Sequence, residues 1–171
     1  MGMYGFAALA STCASLVCSI ISIALPYWFY YEASYHFGTR KLYSGLWTIC
    51  DEYTLLGKTQ TDCTGGDYVA DFLKATRALE IIGMILVACA GVNGFLKLFI
   101  VKDNDNFLST AGGLAIVAGV LLIIGAIIYG AKTHDALLVK GSTLHAGFAL
   151  AIVSGVIAFV AGGLFFASKS N

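Results

Sequence analysis

The 171-residue sequence is short of charge and has a single proline: Asp, Glu, Lys and Arg together make up 12% of it. So few charged side chains exclude a small water-soluble domain, which needs polar residues to cover its surface. Ten basic residues stand against ten acidic ones, leaving neither a basic stripe for nucleic acid nor an acidic tail for a cationic partner. The histidines His36, His134 and His145 fall in three separate segments without metal-ligand spacing. A glycine-rich phosphate loop, a nucleophile elbow and an Asn-x-Ser/Thr sequon are all missing, so no metal, cofactor or enzyme chemistry is expected. Met1-Gly2 resembles a myristoylation start, but Phe6 stands where Ser or Thr is required.

What the chain has in quantity is apolar surface, at 58% hydrophobic residues, together with twenty glycines. Four apolar runs cover about 3–26, 78–101, 107–131 and 144–167. Each is long enough, at ~1.5 Å per helical residue, to cross ~30 Å of hydrocarbon. The first lacks the basic segment of a signal peptide and is read as a retained helix. The pattern predicts one membrane domain of four transmembrane helices, joined by a long connection (27–77), a tight turn (102–106) and a short second loop (132–143), with a tail at 168–171.

An even number of spans puts both termini on one side. Arg40, Lys41, Lys58, Lys74, Arg77, Lys132 and Lys140 lie on the side of the two loops, against Lys97, Lys102 and Lys169 on the other, and this count alone would place the loops in the cytoplasm. The cysteines argue the reverse. Cys50 and Cys63 are the only two outside the apolar runs, and both are in the long connection. Their pairing needs an oxidising compartment; two free thiols are the alternative. Cytoplasmic termini and extracellular loops are therefore expected. Cys13, Cys18 and Cys89, within the runs, read as small buried hydrophobes.

The long connection reads as a small antiparallel sheet: 28–31 and 43–50 are rich in aromatic residues, and Gly38, Gly57 and Gly65-Gly66 are turn formers. Asp67 is a candidate helix cap, and Val69, Phe72, Leu73 and Thr76 have helical spacing leading into the second run. Stripes of small residues suit close helix contact, within the bundle or between molecules. They are Ala10, Ala14, Cys18 and Ser22, then Ala115 and Gly119, then Gly147, Ala151, Gly155 and Gly162. Glu80, inside the second run and three residues after Arg77, is expected to form a helix-face ion pair with it, a functional site being the alternative.

The long connection carries, in order, Trp28, Gly45-Leu46-Trp47, Cys50 and Cys63, with Arg77 opening the second helix. This constellation resembles the signature of the superfamily of claudins, peripheral myelin proteins and epithelial membrane proteins, closest to an invertebrate-type or divergent claudin. The similarity extends through 73–79, 110–113, 116–119, Tyr129-Gly130, Lys140-Gly141, Leu144 and Gly147-Phe148, essentially the whole chain. Trp28 is expected at interfacial depth with its N–H wet, and Gly45 where two backbones meet closely. Leu46 and Trp47 suit a wedge against the bundle or the outer leaflet, and Arg77 a donor to loop carbonyls.

The resemblance implies a multi-pass plasma-membrane protein at cell–cell contacts. Such a protein contacts membrane lipids and associates with its own copies or relatives, in cis and in trans, to form or regulate a paracellular barrier or ion path. Asp51, Glu52, Lys58 and Asp62, around the cysteines, are the candidate ion-path charges. Other branches of the superfamily imply an adhesion or membrane-organising protein, or an auxiliary subunit of an ion channel. The tail Ser168-Lys169-Ser170-Asn171 lacks the hydrophobic terminal residue that PDZ-type scaffolds bind, so scaffold binding is not expected. With no cysteine beside the inner ends of the second and fourth helices, palmitoylation has no obvious acceptor.

Overall fold

In hydrocarbon a backbone can satisfy its N–H and C=O groups only within a helix or a closed barrel. The computed structural model, which describes residues 3–36, 38–65, 70–101, 106–136 and 143–170, accordingly makes each apolar run helical. Helix α1 spans Met3–Ala24, α2 Asp71–Phe95, α3 Asn106–Ala136 and α4 Ala146–Ser170. A wider π-type turn, Leu96–Ile100, continues α2. All four are long and apolar enough to cross a membrane. Helix α2 starts well before the apolar run at Ala78; its first turn contains Asp71, whose carboxylate faces the positive end of the helix dipole. The candidate cap Asp67, the position Val69, Gly66, Lys140-Gly141 and most of the turn at 102–106 lie outside the described residues.

The helices close a ring in which α3 packs on α2 and α4, and α1 on α4 and α2, while α2 and α4 scarcely touch. Glycines set the α3–α4 crossing: a Cβ on Gly119 would meet the carbonyl oxygen of Gly155 at 2.6 Å. On α1 the buried stripe is Gly5, Ala8, Thr12, Ser15, Ser19 and Ser22, whereas Ala10 and Ala14 face outward and Cys18 is half-buried. Hydroxyl groups displace alanines from the inner face because lipid offers them no partner. Ser15 donates to the carbonyl of Ser154 on α4 at 2.9 Å, and Ser22 to that of Gly147 at 2.7 Å. Cys13 and Cys89 are exposed on the bundle's outer surface rather than buried.

Between α1 and α2 the chain makes four strands, β1 Phe29–Tyr35, β2 Gly38–Ser44, β3 Thr48–Leu55 and β4 Lys58–Gly65. A fifth, β5 Thr143–Leu144, comes from the second connection and pairs with β1. The order is β4-β3-β2-β1-β5, every pair antiparallel. Two residues are too short for a sequence signal, so β5 is visible only through its partner Phe29. The aromatic stretch 43–50 is not one strand: it breaks at Gly45-Leu46-Trp47, where the N–H of Gly45 donates to the carbonyl of Thr48 at 2.9 Å. Gly38 lies within β2 rather than in a turn, and a Cβ there would lie 2.0 Å from the Thr54 carbonyl oxygen.

Candidate functional site at the junction of sheet and bundle

The family-type residues assemble around the last turn of α1. A helix end leaves carbonyls without an N–H partner, and Pro26 deepens the deficit: it stands four residues after Ser22 and has no N–H to give. The indole N–H of Trp28 donates to the Ser22 carbonyl instead, at 2.7 Å. In the same turn the indole N–H of Trp47 donates to the carbonyl of Ile23 at 3.0 Å. Two tryptophans far apart in sequence thus cap one helix.

Trp28 is 0% exposed, so its N–H is satisfied by protein and not by water as the sequence suggested. Its ring meets Tyr129 edge-on, with centroids 4.9 Å apart, and Phe148 at 6.4 Å. Gly147 makes room for it, since a Cβ there would lie 2.3 Å from the indole. Gly45 sits against the backbone that follows α1, where a Cβ would lie 2.6 Å from both the Leu25 oxygen and the Pro26 Cα. Leu46 is the wedge, buried in a cluster with Trp28, Phe29, Ala126, Tyr129 and Ala151. Trp47 stays 44% exposed. Arg77 then ties the turn to α2: its Nε donates to the Leu46 carbonyl at 2.6 Å, and its guanidinium lies 4.9 Å over the Trp47 ring. The ion pair expected with Glu80 is therefore not made, because the guanidinium points to the sheet while Glu80 is buried in the bundle.

Helix α4 is fastened to the same point. Trp28 and Tyr27 offer their carbonyls to the N–H groups of His145 and Gly147, at 3.0 and 2.8 Å. Between the base of the sheet and the tops of α2 and α3 lies a cavity of about 220 Å³. Phe29, Leu42 and Ile49 line it from the sheet, and Phe72, Leu73 and Tyr129 from the helices.

Cys50 and Cys63 are bonded to each other and directly opposed on β3 and β4. The four candidate charges flank this bond, and the register sorts them by face: Asp51, Lys58 and Asp62 on one, Glu52 with the disulfide on the other. Asp51 is engaged inside the sheet. Arg40 reaches both its oxygens, with Nε at 3.0 and 3.2 Å, and the Tyr53 hydroxyl donates to it at 2.6 Å. The hydrogen bonds from Arg40, reinforced by Tyr53, hold the Asp51 carboxyl below the usual carboxylate range. The same contact, led by that hydrogen bond, holds Arg40 above its ordinary value. Glu52 pairs with Lys41 at 3.4 Å. Lys58 and Asp62 are exposed and form no ion pair among the described residues.

The sequence pattern marks Ser22 only as a small residue of a packing stripe and Pro26 only as the end of an apolar run; the fold makes them the pair that explains why an indole is required.

Four membrane-length helices, a disulfide-closed antiparallel sheet and a two-tryptophan anchor define a multi-pass membrane protein with a structured domain on one end of its bundle. The chain matches the model of the PMP-22/EMP/MP20/Claudin family over residues 1–165 and belongs to that family, a non-enzymatic family of membrane proteins. No individual curated protein matches the sequence.

Proposed function

We propose that the chain is a claudin-like cell–cell junction protein of the plasma membrane, with cytoplasmic termini and the sheet outside. It associates side by side and across the intercellular gap to form or regulate a paracellular barrier or ion path. The observation that carries this reading is the edge of the sheet. Strand β4 has a neighbour on one side only among the described residues, and all of Lys58–Gly65 is exposed. An edge with free backbone donors and acceptors is a template for a further strand, here one from a second copy.

The register says which backbone groups are free. The Cα atoms of Cys50 and Cys63 are 4.1 Å apart, the close spacing of a non-hydrogen-bonded antiparallel pair, whose N–H and C=O groups point away from each other. Thr59 and Thr61 share the parity of Cys63, so their N–H groups also point to the open edge. The far end of the sheet supports contact across a gap, since Tyr35, Leu55 and Leu56 are exposed there and Leu56 is 89% so.

Thr61→Pro removes one outward N–H and leaves the β3–β4 ladder intact. In cells without junctions, the parent chain should form continuous strands at contacts and Thr61→Pro should reach the surface without forming them. Continuous strands from the variant, or a parent chain that stays diffuse or co-purifies with a channel instead, would overturn the reading.

A further inference from the structure

Glu80 is the only charged residue in 78–96, and the stretches 3–24, 107–131 and 146–168 hold none. It is 0% exposed, and neither of its carboxyl oxygens has a hydrogen-bond partner among the described residues. Its Oε1 lies against Gly125 of α3, where a Cβ would be 3.0 Å away. One turn before it, Thr76 donates to the Gly125 carbonyl at 3.4 Å. One turn after it, Gly83 abuts Leu122 of α3, 2.8 Å from where a Cβ would stand. The carboxyl is thus set into the α2–α3 seam, between glycines and leucine.

The groups that could balance a charge there are few. On α2 itself Arg77 is committed to Leu46 and Trp47. From α3 the nearest titratable side chain is Tyr129, a turn beyond Gly125, and its ring packs against Trp28 and Phe72. Helices α1 and α4 contribute no charged side chain to the bundle body; of the titratable ones on α1, Tyr4 and Cys13 are exposed and Cys18 is half-buried. An ionised carboxylate in this seam would have neither counter-charge nor donor, at a cost of several kcal/mol. A hydrogen ion on one oxygen removes the charge and needs no cavity.

We propose that Glu80 is a proton-binding site inside the bundle, occupied as the neutral acid while α2 and α3 are packed. When the seam parts and water enters, the O–H bond breaks, the electron pair stays on the carboxylate and the proton passes to water. Proton binding and α2–α3 packing are therefore linked, and acid favours the packed state.

The chain has three glutamates, Glu32, Glu52 and Glu80, so selective carbon-13 labelling of glutamate carboxyls gives three resolvable signals. In full-length protein in lipid nanodiscs at neutral pH, solid-state NMR should show one signal at the neutral-acid position and two at the carboxylate position, with Glu80→Gln deleting the first. The double variant Glu32→Gln/Glu52→Gln leaves Glu80 as the sole reporter, so the reading does not depend on Glu80→Gln folding. A carboxylate signal from that folded double variant at neutral pH would overturn the proposal. The unfolding constant of the parent should also rise with pH above the ordinary carboxylate range, by up to about tenfold per pH unit more steeply than that of Glu80→Gln. Equal slopes would sever the link to packing.

Discussion

The indole N–H of Trp28 donates to the carbonyl oxygen of Ser22 at 2.7 Å, filling the place in the helical ladder that Pro26 cannot. Trp28→Phe keeps most of the ring and loses the donor, leaving a buried carbonyl unsatisfied at about 1–3 kcal/mol. Thermal unfolding in detergent should reveal a clear loss of stability. Trp47→Phe, at a half-exposed site where water can replace the indole, should cost less. Equal effects would show that Trp28 acts through its ring alone.

The Cys50–Cys63 bond closes a loop with a sequence separation of 13. Chain-entropy arguments assign such a loop roughly 3 kcal/mol. Cys50→Ser or Cys63→Ser should leave the helices inserted, with near-parent helical circular dichroism, while the sheet becomes protease-sensitive. The double variant should be no worse than either single one. Maleimide labelling at both positions of the unreduced parent would refute the bond and weaken the placement of the sheet outside the cell.

Leu56 turns the β3–β4 hairpin at φ 49°, followed by Gly57 at φ 79°. A leucine is strained in the left-handed region, where Asn and Gly are at home. Leu56→Asn should stabilise the sheet by up to about 1 kcal/mol, read as a higher unfolding midpoint. The same change removes an exposed apolar side chain from the far end of the sheet, so adhesion across the gap should weaken as stability rises.

Asp51 and Asp62 are directly opposed in the register, yet only Asp51 is neutralised by Arg40. A carboxyl held below its ordinary range contributes stability above that range and loses it as pH falls through the lowered value. Sheet stability should therefore decline below about pH 4, and Asp51→Asn should flatten that decline. Ion selectivity should follow Asp62, which has no ion pair among the described residues: Asp62→Lys should lower the sodium-to-chloride permeability ratio of a monolayer more than Asp51→Asn does. An unchanged ratio at normal surface expression would remove Asp62 from the ion path.

Much of this protein follows from the sequence alone. Apolar runs bounded by charges dictate helices because an unpaired backbone group in hydrocarbon costs too much to leave open. The lone pair of loop cysteines left one partner each, and the ordered set from Trp28 to Arg77 pointed to the family. Tertiary structure decided what periodicity cannot reach. It turned the serines of α1 inward, since each hydroxyl needed a carbonyl on a helix distant in sequence. It brought Thr143–Leu144 to the sheet as a strand that exists only by pairing with Phe29 and Tyr30. It also set Arg77 and Glu80, neighbours on one helix, to different tasks: the guanidinium found the Leu46 carbonyl, and the carboxyl was left in the seam beside Gly125. Helical spacing can put two charges within reach of each other, but only the packed bundle determines whether a better partner stands closer.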